Sequence, residues 1–223
     1  MKSFAWMLAA ACLLCSTVCS ADTRPKVRVA FVISDGFDLI DFAGPWEVFQ
    51  DVMLGSDHDG MDVPYELYTV SSSKGAVTSS GGASVVPRYT LEDAPRPDLI
   101  VIGAQSDNSS HLLAWLGSQH ASRVTIMSVC TGARKLALAG LLDGKQATSH
   151  HEFLAEFEKK FPQVRWQASR RYVRSDETIY TAGGLTSGVD LALHLVAARF
   201  GVDVAQKTAD YLEYHGNGWK EAE

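Results

Sequence analysis

Short apolar runs alternate with stretches of helical spacing along most of this chain. Residues 27–34, VRVAFVIS, form a β-branched run that stops at Asp35-Gly36, and GPWEVFQDVM from Gly44 carries helix spacing with Pro45 acceptable in its first turn. YELYTVSS from Tyr65 reads as a second strand, and AVTSSGGASVVP as a hairpin around Ser80-Gly81-Gly82. DLIVIGA from Asp98 and VTIMSV from Val124 are nearly continuous apolar strands, the pattern of buried parallel positions. Between them a helix runs through His120, with Asn108 as its cap. ARKLALAG after Cys130 predicts a helix closed by Gly140, and HEFLAEFEKKF from His151 an amphipathic helix ended by Pro162. Short strands follow at VRWQ and around RYVRSDETIYTAG, where Asp176-Glu177 makes a hairpin turn. SGVDLALHLVAARF from Ser187 and VAQKTADYLEYH from Val204 are the last two helices. Strands alternating with helices, several of them apolar on both faces, predict an α/β fold: a doubly wound, mostly parallel sheet sandwiched by helices. In such sheets ligands bind at the carboxyl ends of the strands.

The first residues do not belong to this pattern. MKSFAWMLAAACLLCSTVCSA has one early lysine, an apolar stretch from Phe4 to about Cys15 and small residues up to Ala21, the anatomy of a secretory signal peptide. Residues 1–21 are therefore expected to be a leader and residues 22–223 a single domain, exported to the periplasm or secreted, with no stable membrane insertion after cleavage. No later apolar stretch is long enough to cross a bilayer. Twenty basic against 26 acidic residues, a formal charge of −6, argue against a nucleic-acid surface. The seven histidines include the adjacent pair His150-His151 but are otherwise scattered without ligand spacing, so no metal is expected.

The leader also changes the cysteine count. Cys12, Cys15 and Cys19 lie within it, which leaves Cys130 as the only thiol of the mature chain and excludes an intrachain disulfide framework. Cys130 is then either a small buried hydrophobe or a reactive group. It stands where an apolar strand gives way to Thr131-Gly132 and a helix. That junction favours a thiolate, because helix amino termini lower cysteine pKa. The Thr131 N–H can hold charge developing on a substrate, and Gly132 permits close backbone approach. A proton partner is offered by SDGFDLIDFAGPWEVF. Asp35 reads as a turn residue and Asp38 as a solvated loop residue, whereas Leu39, Ile40 and Phe42 surround Asp41 with apolar side chains that raise its pKa. The competing assignment of Asp41 is a helix cap just before Gly44-Pro45.

These segments resemble the DJ-1/PfpI superfamily, with its glutamine-amidotransferase-like, flavodoxin-like fold. Within it they are most similar to the isocyanide hydratase branch and to the sensor domains of AraC-type regulators. The resemblance rests on LIDFAGPWEVF, SVCTGARKLALAGLLDGKQATSHH and TAGGLTSGVDLALHLVA, in that order. It implies Cys130 as nucleophile and Asp41 as general acid/base, with Thr131, Gly132, Gly103 and Ala104 around the anion and His150 in a secondary role. Two departures stand out. Gly103-Ala104-Gln105 replaces a Pro-Gly-Gly loop, and Arg134-Lys135 occupies helix positions that are commonly apolar; they either face water or add positive potential near the thiol. The resemblance implies a small electrophilic substrate, an isocyanide first, hydrated to an N-substituted formamide without a cofactor. It also implies a homodimer, to which Trp46, Trp115 or the last helix would contribute. The alternatives are a glyoxalase or deglycase acting on reactive carbonyls, disfavoured by threonine rather than histidine after Cys130, and a redox-sensing or ligand-binding protein without turnover. AraC-type regulators continue into a DNA-binding domain with no counterpart in this sequence, so no nucleic-acid partner is expected.

Overall fold

The computed structural model describes residues 25–55 and 62–220. The leader expected at residues 1–21 lies outside them. The elements run β1 (Val27–Val32), α1 (Leu39–Gln50), β2 (Tyr65–Ser71), β3 (Val77–Thr78), β4 (Ser84–Val85), β5 (Tyr89–Thr90), β6 (Leu99–Ile102), α2 (Ser110–Ala121) and β7 (Thr125–Ser128). After Cys130 come α3 (Ala133–Leu138), β8 (Gln146–Ala147), α4 (Leu154–Lys160), β9 (Arg165–Trp166), β10 (Tyr172–Arg174), β11 (Ile179–Ala182), α5 (Ser187–Phe200) and α6 (Val202–Tyr211).

The central sheet has seven strands in the order β10-β11-β7-β6-β1-β2-β5, all parallel except the β10–β11 pair. Its strands are apolar on both faces because helices cover both. Val29 and Phe31 of β1, Val101 of β6 and Met127 of β7 pack toward α1, α5 and α6, while Ala30, Val32, Ile100, Ile102 and Ile126 pack toward α2, α3 and α4. The fold is thus the doubly wound α/β sandwich that the alternation predicts. The two hairpins are also where the turn residues put them. β3 pairs antiparallel with β4 across Ser80-Gly81-Gly82, and Asp176 Oδ1 accepts the Thr178 and Ile179 N–H groups at 2.7 Å each to close the β10–β11 turn.

Three local expectations are corrected. Helix α1 begins at Leu39, not Gly44, so Pro45 lies in its interior and Asp41 is inside its first turn rather than a cap upstream of it. The N-cap is Asp38, whose side chain makes no capping bond and whose own N–H donates to the Ala104 carbonyl at 3.0 Å. Reading Pro45 as a first-turn residue placed the start too late. A proline at position 45 removes only the N–H that would reach the Asp41 carbonyl. Helix α2 is capped by Ser109, whose Oγ accepts the Leu112 N–H at 3.2 Å, not by Asn108, which instead donates to the Ser106 carbonyl. The segment at His151 opens as a 3-10 turn, and only Leu154 to Lys160 is α-helical.

Chain order leaves β1 in opposite directions: β2 lies on one side of it, β6 and β7 on the other. The carboxyl ends of β1 and β6 therefore lie at the topological switch point of the sheet, the place where doubly wound folds bind ligands.

Candidate functional site

Cys130 stands two residues beyond β7 in a left-handed conformation, φ +56°. A non-glycine residue there costs about 1–3 kcal/mol and has to be held by its surroundings. Its N–H donates to the Gly183 carbonyl at 2.9 Å, its carbonyl accepts the Ser149 Oγ–H at 2.8 Å, and the Gly132 N–H closes the turn onto the Val129 carbonyl at 2.9 Å. Gly132 has no alternative: a Cβ there would meet the Ile102 carbonyl oxygen at 2.1 Å. The result is a sharp strand-to-helix elbow.

Asp41 reaches the same point from α1. Its Oδ2 accepts the Ala104 N–H at 3.0 Å, and Gly103 lies so close that a Cβ on it would come within 2.6 Å of the Asp41 Cβ. The carboxyl interacts with the Cys130 thiol and with the N–H of Leu185, another left-handed residue at φ +54°. Neither closes a hydrogen bond onto Oδ1, which is buried without a partner. Beside Asp41 lies a cavity of about 10 Å3, lined by Phe31, Phe37, Phe42, Asp38 and Ala104 among others. That is about the space a single water needs. A roomier cavity of about 350 Å3 lies at the opposite, amino end of β1, β6 and β7, lined by Val27, Leu99 and Thr125 among others, and neither Cys130 nor Asp41 lines it.

Electrostatics departs from expectation at the thiol. Burial first, then the negative charges of Asp41 and Asp38, push Cys130 up to about 12, against the favourable Thr131 N–H. The sequence reading expected a lowered pKa from a helix amino terminus. The segment after Cys130 is a 3-10 turn followed by a helix of only six residues, and a carboxylate stands where the helix field would have to act. Asp41 is raised in the expected direction, but of the expected neighbours only Phe42 lies beside it, together with Phe31 and Phe37, while Leu39 and Ile40 are exposed: burial raises it to about 6, with the Ala104 N–H pulling the other way.

Of the residues singled out in the sequence, Cys130, Asp41, Thr131, Gly132, Gly103 and Ala104 come together here. The Ala104 N–H is already bound to Asp41, so it orients the carboxyl and is not a free donor for substrate. His150 sits at the edge. Its Nδ1 accepts the Glu152 N–H at 3.3 Å, its ring stacks on His151 at 4.6 Å, and Gly184 leaves room for it, since a Cβ there would lie 2.2 Å from its Cδ2. Among the described residues no group of three or more His, Cys, Asp or Glu side chains is placed to hold a metal. Sequence reasoning missed Ser149, which follows β8, and Gly183 on the β11–α5 loop, which fix the elbow, and Leu185 on that same loop, which approaches the carboxyl. The run Thr181-Ala-Gly-Gly-Leu185 was the available signal. Of the two alternatives left open for Arg134-Lys135, exposure to water does not hold for Lys135, which is buried on α3 with 1% exposure.

The model of the DJ-1/PfpI family matches residues 27–198. Isonitrile hydratase of Pseudomonas putida is 32% identical over 196 residues, which cover 84% of this chain and 78% of that one. The HTH-type transcriptional regulator GbdR of Pseudomonas aeruginosa is 28% identical over 195 residues, 86% of this chain and 52% of the regulator, so the chain spans about half the regulator's length. Among solved structures, a THiJ/PfpI family protein from Pseudomonas syringae matches with a TM-score of 0.74 at 27% identity, over 87% of this chain and 78% of that one. Oxidized DJ-1 of Toxoplasma gondii has a TM-score of 0.68 at 20% identity, covering 85% of this chain and all of that one, which bears on the fold alone.

Proposed function

Because this chain belongs to the DJ-1/PfpI family, we propose that it is a cysteine-dependent hydratase of a small electrophilic substrate, an isocyanide converted to an N-substituted formamide, acting after export. The single observation that carries the reading is the pairing of Cys130 with a buried carboxyl whose pKa is raised to about 6. A general acid/base works best with a pKa near the working pH. The similarity to an isonitrile hydratase supplies the substrate class.

In the proposed mechanism the Cys130 sulfur attacks the terminal carbon of R–N≡C while its proton passes to Asp41. Asp41 returns the proton to that carbon, giving the thioimidate R–N=CH–S–Cys. Water then adds to the same carbon, its proton moving through Asp41 to the nitrogen, and the tetrahedral R–NH–CH(OH)–S–Cys collapses to R–NH–CHO with the proton restored to sulfur. Isocyanide plus water equals formamide, so the reaction calls for no electron or group carrier. The small cavity against Asp41 has room for one water beside the carboxyl that activates it. The Thr131 N–H faces the sulfur and steadies the charge that develops there.

A second reading, a ligand-binding domain with an inert thiol, is favoured by one observation: Cys130 is 5% exposed and its thiol is pushed up to about 12. Formamide production from cyclohexyl isocyanide, with intact-mass detection of the thioimidate, separates the two. We expect turnover in the wild type, none in Cys130→Ser and a loss of about a hundredfold or more in Asp41→Asn. Wild-type protein that forms neither formamide nor adduct refutes the hydratase.

A further inference from the structure

Lys135 is the third residue of α3 and is 1% exposed. A lysine is almost never buried so completely without compensation. Its Nζ donates to the Gln105 carbonyl at 2.5 Å. That carbonyl belongs to the loop that follows β6 and holds Asp41. The loop is tied at each step to the β1–α1 side of the molecule. The Ala104 N–H goes to Asp41 and its carbonyl accepts from Asp38; Gln105 Nε2 donates to the Val32 carbonyl at 3.3 Å; Ser106 N–H donates to the Asp35 carbonyl and Asp107 N–H to Ser34 Oγ, both at 3.0 Å. All of these partners lie between residues 32 and 41. Lys135 supplies the tie in the other direction, to the helix that begins at the Cys130 elbow.

We propose that Lys135 is a positioning residue for the thiol–carboxyl pair: its ammonium group joins the helix after Cys130 to the loop that holds Asp41, and its charge favours the sulfur anion as it forms. This deepens the hydratase reading and rests on Cys130 and Asp41 being the reacting pair. The two unusual features of the sequence, Gly103-Ala104-Gln105 and Arg134-Lys135, are then one feature, because the second supplies the donor for a carbonyl in the first. The charged groups that face Lys135 are Asp107 on the loop, Arg134 on its own helix and Cys130 at the elbow, and burial together with Arg134 lowers it to about 8. Those facing Cys130 from α1 are Asp41 and Asp38.

The test is the rate of iodoacetamide alkylation at Cys130, read by peptide mass between pH 6.5 and 10, in wild type, Lys135→Met and Asp107→Asn, with thermal melting as the control for folding. In the wild type the logarithm of the rate should climb with less than unit slope around pH 8, because the ammonium is lost as the thiolate is gained. Lys135→Met should give unit slope from about pH 7.5 upward, above the titration of Asp41, and a rate at pH 7 about tenfold lower, the effect of raising the thiol by about one pH unit. Asp107→Asn removes the attracting carboxylate and should move the wild-type break to lower pH. A folded Lys135→Met with the wild-type rate and break overturns the proposal. If that variant does not fold, an unmoved break in Asp107→Asn overturns it instead. Alkylation requires no turnover, so failure of isocyanide hydration in the wild type sinks the hydratase alone, while a normal profile in Lys135→Met beside an active wild type sinks the role of Lys135 alone.

Discussion

Replacing Asp41 by asparagine should make the protein more stable at neutral pH while removing its activity. The Asp41 carboxyl is 1% exposed, and burial raises it from its ordinary 3.8 to about 6. Between these values the folded chain binds a proton that the unfolded chain has released. The unfolding free energy therefore falls as pH rises through this window, by up to 1.36 kcal/mol per pH unit, and is flat on either side of it. The gap of roughly two pH units corresponds to about 3 kcal/mol at pH 7.5, of which a small part is already lost at pH 4. Asparagine does not titrate, and its amide oxygen can still accept the Ala104 N–H. Urea unfolding of both proteins at pH 4 and pH 7.5 gives a difference of differences in which any fixed packing cost of asparagine cancels. We expect wild type to lose about 2–3 kcal/mol relative to Asp41→Asn between the two pH values. A stability gap independent of pH, or one that favours wild type at pH 7.5 more than at pH 4, would refute the claim that Asp41 is held in a destabilising site.

Three further outcomes test the geometry and the processing. Gly132→Ala drives a Cβ to 2.1 Å from the Ile102 carbonyl oxygen, a backbone atom in the central strand β6, so a loss of about 3 kcal/mol or more is expected, visible as a lower melting temperature; an unchanged melt would mean that the elbow is looser than described. Ser149→Ala removes the donor to the Cys130 carbonyl and should cost about 1–2 kcal/mol in urea unfolding and slow alkylation or turnover at Cys130, whereas a neutral effect on both would show that the strained φ is held by its other contacts. The leader proposal predicts an exported protein whose intact mass begins at Asp22; a cell-retained protein of full-length mass would refute it.

The fold was legible because hydrophobic periodicity reports burial directly. Strands such as Leu99–Ile102 in DLIVIGA, apolar and buried at every position, have no solvated face, and only a sheet covered on both sides accommodates them. The hairpin turns were legible for a related reason, since Gly82 and Asp176 are residues whose local chemistry makes the turn. What failed was the start of α1 and the thiol's electrostatics. Helix start signals describe a first turn in isolation, whereas Leu39 to Asp41 is drawn into the helix by a distant contact, the Asp38 N–H on the Ala104 carbonyl. A helix amino terminus likewise favours an anion only where no other charge competes, and nothing local to Val-Cys-Thr-Gly announces that a carboxylate 89 residues away in sequence will face it. Lys135 was ambiguous for the same reason: its partner carbonyl is supplied by a loop that only the folded sheet brings near.

A thiol pushed up to about 12 and a carboxyl raised to about 6 suit a nucleophilic site if the two groups share one proton. At neutral pH that proton sits on sulfur and the charge on Asp41. A free thiolate beside an ionised Asp41 would bury two negative charges at once, which is what the raised thiol reports. Passing the proton from Cys130 to Asp41 during attack keeps the pair at a single negative charge from the resting state to the thioimidate, since the sulfur loses its charge to the new bond with carbon as the carboxyl returns the proton. The two groups then titrate as a unit and not as independent acids. Lys135 fits that account, because a single cation tied to the loop beside the pair balances a single anion, whichever of the two carries it. The same account explains why Asp41→Asn need not increase reactivity: it relieves the repulsion that raises the thiol, but it also removes the carboxyl that, among the described residues, interacts with the thiol and can accept the sulfur's proton and deliver it to carbon.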